Sequence, residues 1–160
     1  MFKHEFVDLG YDDLKADTQK SGRTYTTPDG KKYPSITTVL SIINKEQILA
    51  WRARVGEEEA NRVATRASRR GSQVHDIVER YLRNEEHTRE YLPHIIGSLQ
   101  NLRPILDKSI GVISALEAPL FSSYLGVAGR VDCVAEFDGV PSIIDFKTSK
   151  RFKRKEHIGH

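Results

Sequence analysis

The sequence has one cysteine, Cys133, so the chain can form no internal disulfide and no all-cysteine zinc or iron–sulfur site. That scarcity fits a reducing compartment. No apolar run is long enough to span a bilayer, so no membrane partner is expected. The first residues, MFKHEFVDLGYDD, carry acids and no apolar core, unlike a secretory signal or a transit peptide. There is no internal repeat and no low-complexity segment. With 160 residues, 38% apolar and 29% charged, the chain suits one globular domain with a real core. The net charge is only +3 but the pI is about 9.0, because basic residues cluster in Arg62, Arg66, Arg69 and Arg70 and again from Lys147 to Lys155. Such clustering favours a phosphate-bearing partner.

The most informative stretch runs from Gly129 to Lys150. Two β-branched and aromatic segments, Val131 to Phe137 and Val140 to Thr148, flank Asp138-Gly139, the strongest short-range hairpin signal. A two-residue loop sets Phe137 against Val140 and brings Asp132 opposite Asp145 as a closely spaced, non-hydrogen-bonded pair. Facing like charges destabilise a sheet by up to roughly 1 kcal/mol, a penalty that a divalent cation removes. Lys147 shares the face of Asp145 because strand side chains alternate. Solvated charges on the outer face of a hairpin are the ordinary alternative, but the apolar run Ile143 to Phe146 favours an interior strand.

Upstream, residues 1–22 show no periodicity and are expected to form a loose arm. Arg23 to Thr27 and Lys31 to Tyr33 read as a small hairpin across Pro28-Asp29-Gly30. Ser35 offers an N-cap to a short helix, Ile36 to Ile43, followed by a second from about Glu46 to Arg54. The best helix runs from Glu57 to about Leu82, with Val63, Ala67, Gly71, Val74, Val78 and Tyr81 in one stripe and His75 beside it, Glu79 one turn on. Gly71 is expected to admit a close backbone. A further helix spans about Pro93 to Lys108 and should kink or split at Pro104. Ile110 to Ser122 reads as a strand carrying Glu117. Helices followed by strands predict an α+β fold, with N-terminal helices packed on a mainly antiparallel three-stranded sheet. Residues 1–56 would form the arm, hairpin and short helices, and 57–160 the core.

In this order the motifs RGSQVH (Arg70 to His75), Glu117, LGVAGRVD (Leu125 to Asp132) and IIDFKTSK (Ile143 to Lys150) resemble the PD-(D/E)XK nuclease superfamily. Within it they are most similar to the RecB-type exonuclease branch, in the group of the mitochondrial genome maintenance exonuclease and its phage relatives. YPSITTVLS, Tyr33 to Ser41, adds to that likeness. The resemblance implies a restriction-endonuclease-like core in which His75, Asp132 and Asp145, with the carbonyl of Phe146, ligate Mg²⁺ or Mn²⁺. Lys147 would orient or activate the attacking water, and Glu117 would hold that water or a second metal. Arg70, Arg130, Thr148, Lys150, Arg151 and Lys153 would follow the backbone of DNA, expected to be single-stranded. One cysteine excludes the iron–sulfur cluster of some relatives.

The family's Q-x-x-x-Y helix and a further strand have no counterpart in the thirteen residues after Lys147, so the core is expected to be truncated at its C-terminal end. A second polypeptide would supply that helix, or a homo-oligomer would cover the open sheet edge. The expected activity is a Mg/Mn-dependent DNA exonuclease of phage or bacterial metabolism, cytoplasmic in the bacterium or infected host. The alternatives are an inactive or split nuclease subunit that binds nucleic acid and a site-specific endonuclease of the same superfamily. The terminal His157-Ile158-Gly159-His160 matches a tRNA synthetase signature, but no helix follows it and it is assigned no role.

Overall fold

The computed structural model describes residues 1–87 and 90–148. Two short strands open the chain, β1 (Lys3–His4) and β2 (Lys15–Gln19). Next come β3 (Gly22–Thr26), β4 (Lys32–Pro34), α1 (Ile36–Ser41), α2 (Lys45–Val55), α3 (Glu57–Leu82) and α4 (Pro93–Ser109). Three strands complete the described fold: β5 (Ile110–Ser122), β6 (Val127–Phe137) and β7 (Val140–Ile144). The class is α+β, as expected, but the sheets differ from the prediction. One sheet has four strands in the order β1-β5-β6-β7, with β1 parallel to β5 and the rest antiparallel; β2-β3-β4 form a second, antiparallel sheet. The expected loose arm therefore supplies an edge strand to each sheet. Its sequence hid this because β1 has only two residues and all five residues of β2 are exposed, leaving no apolar alternation to read.

Local chemistry accounts for the helices. The Ser35 hydroxyl caps α1 by accepting the Thr38 N–H. Gly56, at φ +88°, separates α2 from α3, a turn that glycine makes without steric cost. Glu57, Glu58 and Glu59 then place negative charge on the first turn of α3, where the helix dipole favours it. Only the C-terminal half of α3 enters the main core, through Val74, Ile77, Val78 and Leu82. These pack against Ile95, Leu99 and Leu106 of α4 and against Ile113, Leu116, Cys133 and Ala135 of the sheet. Val63 and Ala67, from the same predicted stripe, are exposed. A Cβ built on Gly71 would meet only the Thr148 hydroxyl, at 3.8 Å, so no backbone among the described residues crowds that glycine.

Pro104 does not split the helix, and α4 runs as one element from Pro93 to Ser109. Pro104 and Gln100, whose carbonyl it cannot serve, both face solvent, where water can bond the orphaned oxygen. Asp138 and Gly139 both take positive φ, 49° and 78°, as the predicted two-residue turn requires. Pairing keeps the expected register from Phe137–Val140 to Cys133–Ile144, but β7 then ends, four residues short of the predicted Thr148. The apolar run does not make an interior strand, since β7 lies at the sheet edge and Ile143 is 75% exposed. Among the described residues no helix is long and apolar enough to cross a membrane.

Candidate metal centre

Where α3 crosses the middle of β5 and β6, three side chains converge. His75, Glu117 and Asp132 each offer a donor atom, and the three atoms lie within 4.8 Å of one another. His75 comes from the core-facing half of α3, one position after buried Val74. Asp132 stands on β6 between Val131 and Cys133, which pair with Ala118 and Leu116 of β5. Glu117 lies across from it in the same register, between the Leu116–Cys133 and Ala118–Val131 pairs, with a left-handed φ of +48°, uncommon for a residue other than glycine. Two facing carboxylates do share one spot, but their strands are β5 and β6.

Asp132 is held from two sides. One carboxylate oxygen lies 3.5 Å from His75 Nδ1, and the other accepts the Phe146 N–H at 2.7 Å. Burial pushes the Asp132 carboxyl up, yet the His75 hydrogen bond, the Phe146 N–H and the nearby His75 and Lys147 charges outweigh it and leave it below the ordinary value. His75 is raised, first by its hydrogen bond to Asp132, with further help from the Asp132 charge and the Phe146 backbone. Glu117 moves the other way from Asp132: burial raises it, and the neighbouring Asp132 and Glu79 charges add to the rise. A nitrogen and two carboxylates, one of them reluctant to ionise, form a donor set suited to a hard or borderline divalent cation.

The remaining predicted residues are spread around this centre. Asp145 does not face Asp132, because β7 stops at Ile144 and it is the Phe146 N–H that turns onto Asp132. Asp145 is exposed and pairs with the Lys147 ammonium. Lys147 is nonetheless near enough for its charge to act on His75 and Asp132. The Phe146 ring is buried edge-on to His75, with ring centres 6.4 Å apart. Thr148 is half-buried above Gly71, and Arg70 has a buried Nε with no hydrogen-bond partner among the described residues. Arg130 is exposed, and its guanidinium donates to the Glu117 carbonyl and to Asp13. Lys150, Arg151 and Lys153 lie outside the described residues.

Two contributors went unread in the sequence. Arg83 pairs with Glu79 at 2.9 Å and also reaches the Leu116 carbonyl at 3.4 Å. The i,i+4 spacing announced the first contact and nothing announced the second. Asp13, 117 residues from Arg130, left no local signal at all.

No family model matches the chain. It is similar to curated proteins named mitochondrial genome maintenance exonuclease 1. The human protein is 29% identical over 130 residues, the mouse protein 30% over 129 and the Xenopus tropicalis protein 32% over 129. Each alignment covers 75% of this chain but only 37–38% of the relative, so the chain spans a little over a third of the length of the proteins it matches. Those names attach the relatives to mitochondrial genome maintenance in animals, and nothing in them speaks for the bacterial or phage setting expected from the sequence. The likeness supports a nuclease family for this chain.

Proposed function

We propose that the chain is the catalytic portion of a divalent-metal-dependent deoxyribonuclease, a PD-(D/E)XK-type exonuclease acting on single-stranded DNA ends. The observation that carries this is the convergence of His75, Glu117 and Asp132 within 4.8 Å, with Lys147 close by, in a chain similar to exonucleases. His75 and Asp132, with Glu117 and the Phe146 carbonyl beside them, would hold Mg²⁺ or Mn²⁺. When bound, the ion supplies charge neutralisation on the phosphate and a more acidic water. The protein's own part is to fix the donors. Asp132 is pinned by His75 and by the Phe146 N–H. The Lys147 ammonium can orient a water or neutralise a phosphate oxygen. The water oxygen attacks phosphorus, the phosphorus–oxygen bond to the leaving sugar breaks, and that oxygen takes a proton while the attacking water loses one. Arg70, with its buried Nε, is a candidate for the DNA backbone.

The test is cleavage of end-labelled linear and circular single-stranded DNA in Mg²⁺ or Mn²⁺. Linear DNA should be degraded, circular DNA spared and EDTA inhibitory. Asp132→Asn should cut the rate by at least about a hundredfold; unchanged cleavage in that variant refutes the assignment. Cutting of circular DNA would instead favour an endonuclease.

A second reading follows from the outward pairing of Asp145 with Lys147 beside an exposed edge strand. The chain would then be a nuclease subunit whose site is completed by a second polypeptide or a second copy along β7. DNA binding in Mn²⁺ without turnover, relieved by adding the partner, would favour it.

A further inference from the structure

Glu117 reaches the centre only because its backbone takes a conformation that side-chain-bearing residues avoid. A left-handed φ at a non-glycine position is strained and persists only when the surroundings impose it. Those surroundings are two guanidinium groups. Arg130 Nη1 donates to the Glu117 carbonyl, and Arg83 Nη2 donates to the Leu116 carbonyl at 3.4 Å, so both peptide oxygens bracketing the strained residue are held. Each arginine is itself anchored. Arg83 is fixed by Glu79 at 2.9 Å, on the helix that carries His75. Arg130 Nη2 binds the Asp13 carboxylate at 2.5 Å, and Asp13 accepts the N–H of buried Leu14 at 2.7 Å. Tyr11 adds a grip two residues along the same strand, donating to the Pro119 carbonyl at 3.0 Å.

We infer that Arg130, anchored by Asp13 and seconded by Arg83, is a positioning residue that holds Glu117 in its left-handed conformation, so that its carboxylate joins His75 and Asp132. This assigns a purpose to the segment from Tyr11 to Leu14: it steadies the strand that bears the third candidate ligand. The inference rests on the metal reading proposed above, but its mechanical part does not need the metal. It also inverts the simplest electrostatic expectation. A cation beside a cation site weakens binding, so if Arg130 acted by charge alone its removal would tighten Mn²⁺ binding. A brace predicts the reverse.

The experiment is a double-mutant cycle between Arg130→Met and Glu117→Gly, with Arg130→Lys and Asp13→Asn as milder variants, read in two ways. The first readout is Mn²⁺ affinity, from the electron paramagnetic resonance signal of the free ion. Arg130→Met should weaken it about tenfold, Arg130→Lys should restore part of the loss, and in the Glu117→Gly background Arg130→Met should change nothing further. The second readout is thermal unfolding in EDTA. Arg130→Met should lower the midpoint by about 2–4 °C with Glu117 present and by much less in the Glu117→Gly background, where glycine adopts the left-handed conformation unaided. Tighter Mn²⁺ binding in Arg130→Met, or equal losses in both backgrounds, overturns the brace while the metal reading stands. Failure of the wild-type chain to bind Mn²⁺ overturns the metal reading, and the thermal cycle still decides the brace.

Discussion

Replacing Glu117 by Gln should stabilise the metal-free protein and destabilise the metal-bound one relative to wild type. The donor oxygens of Glu117 and Asp132 lie within 4.8 Å. Two unit charges at that distance repel by about 1 kcal/mol in water and about 3.5 kcal/mol at an effective dielectric of roughly 20. His75 offsets part of this, so a net gain of about 1 kcal/mol is expected at neutral pH. For a chain of this size that raises the unfolding midpoint by about 2–4 °C. The pH dependence carries the signature. The Glu117 carboxyl is raised above its ordinary 4.5 by burial and by Asp132. A raised carboxyl favours the folded state below the unfolded value and loses that contribution as pH rises through the folded one. The advantage of Gln should therefore vanish below about pH 4.5 and be complete at neutrality. Mn²⁺ at a hundred times its dissociation constant should stabilise wild type by about 2.7 kcal/mol. It should stabilise Glu117→Gln less, because one ligand is lost, and the order of stabilities should invert. The assay is calorimetric unfolding across pH, in EDTA and in Mn²⁺. A lower midpoint for Glu117→Gln in EDTA at neutral pH, or an equal Mn²⁺ increment in both proteins, would show that the two carboxylates do not share a cation site.

Three further outcomes follow from particular groups. The His75–Asp132 pair should support the metal-free fold between about pH 4 and 6.5. The raised imidazole loses its contribution as pH rises through its folded value, the lowered carboxyl as pH falls through its own, and His75→Asn should flatten the alkaline part in urea titrations. Gly71→Ala should raise stability by about 0.5–1 kcal/mol, since the helix interior there has room for a methyl, and a lower unfolding midpoint would mean that Thr148 packs more tightly than the structure shows. Cys133, fully buried and pushed up to about 11 by burial and by Asp132, should not react with a disulfide-exchange reagent at mildly alkaline pH until denaturant is added.

Much of the fold could be read from the amino-acid sequence because its causes are local. An apolar stripe from Val63 to Tyr81 announces α3, although only its C-terminal half enters the core, and Asp138-Gly139 sets a turn whose register holds as far as Cys133–Ile144. The resemblance carried by RGSQVH, Glu117, GRVD and DFK had already grouped His75 and Asp132, with Glu117 nearby. What it did not show was that Glu117, and not Asp145, converges with them. Which carboxylate faces Asp132 depends on where β7 leaves the sheet and on the register of β5 against β6, and neither leaves a mark in hydrophobic periodicity. The same holds for the first residues, which read as an arm because β1 is two residues long and β2 is wholly exposed. Sequence alone determined the helices and the turn, both set by interactions within a few residues, while the candidate site residues came from motifs that resemble a nuclease superfamily. Only the tertiary structure decided that Asp145 stands apart with Lys147, and that a carboxylate 117 residues upstream anchors the arginine bracing Glu117. Contacts between distant segments are selected by packing, and packing is not written in any one stretch of the chain.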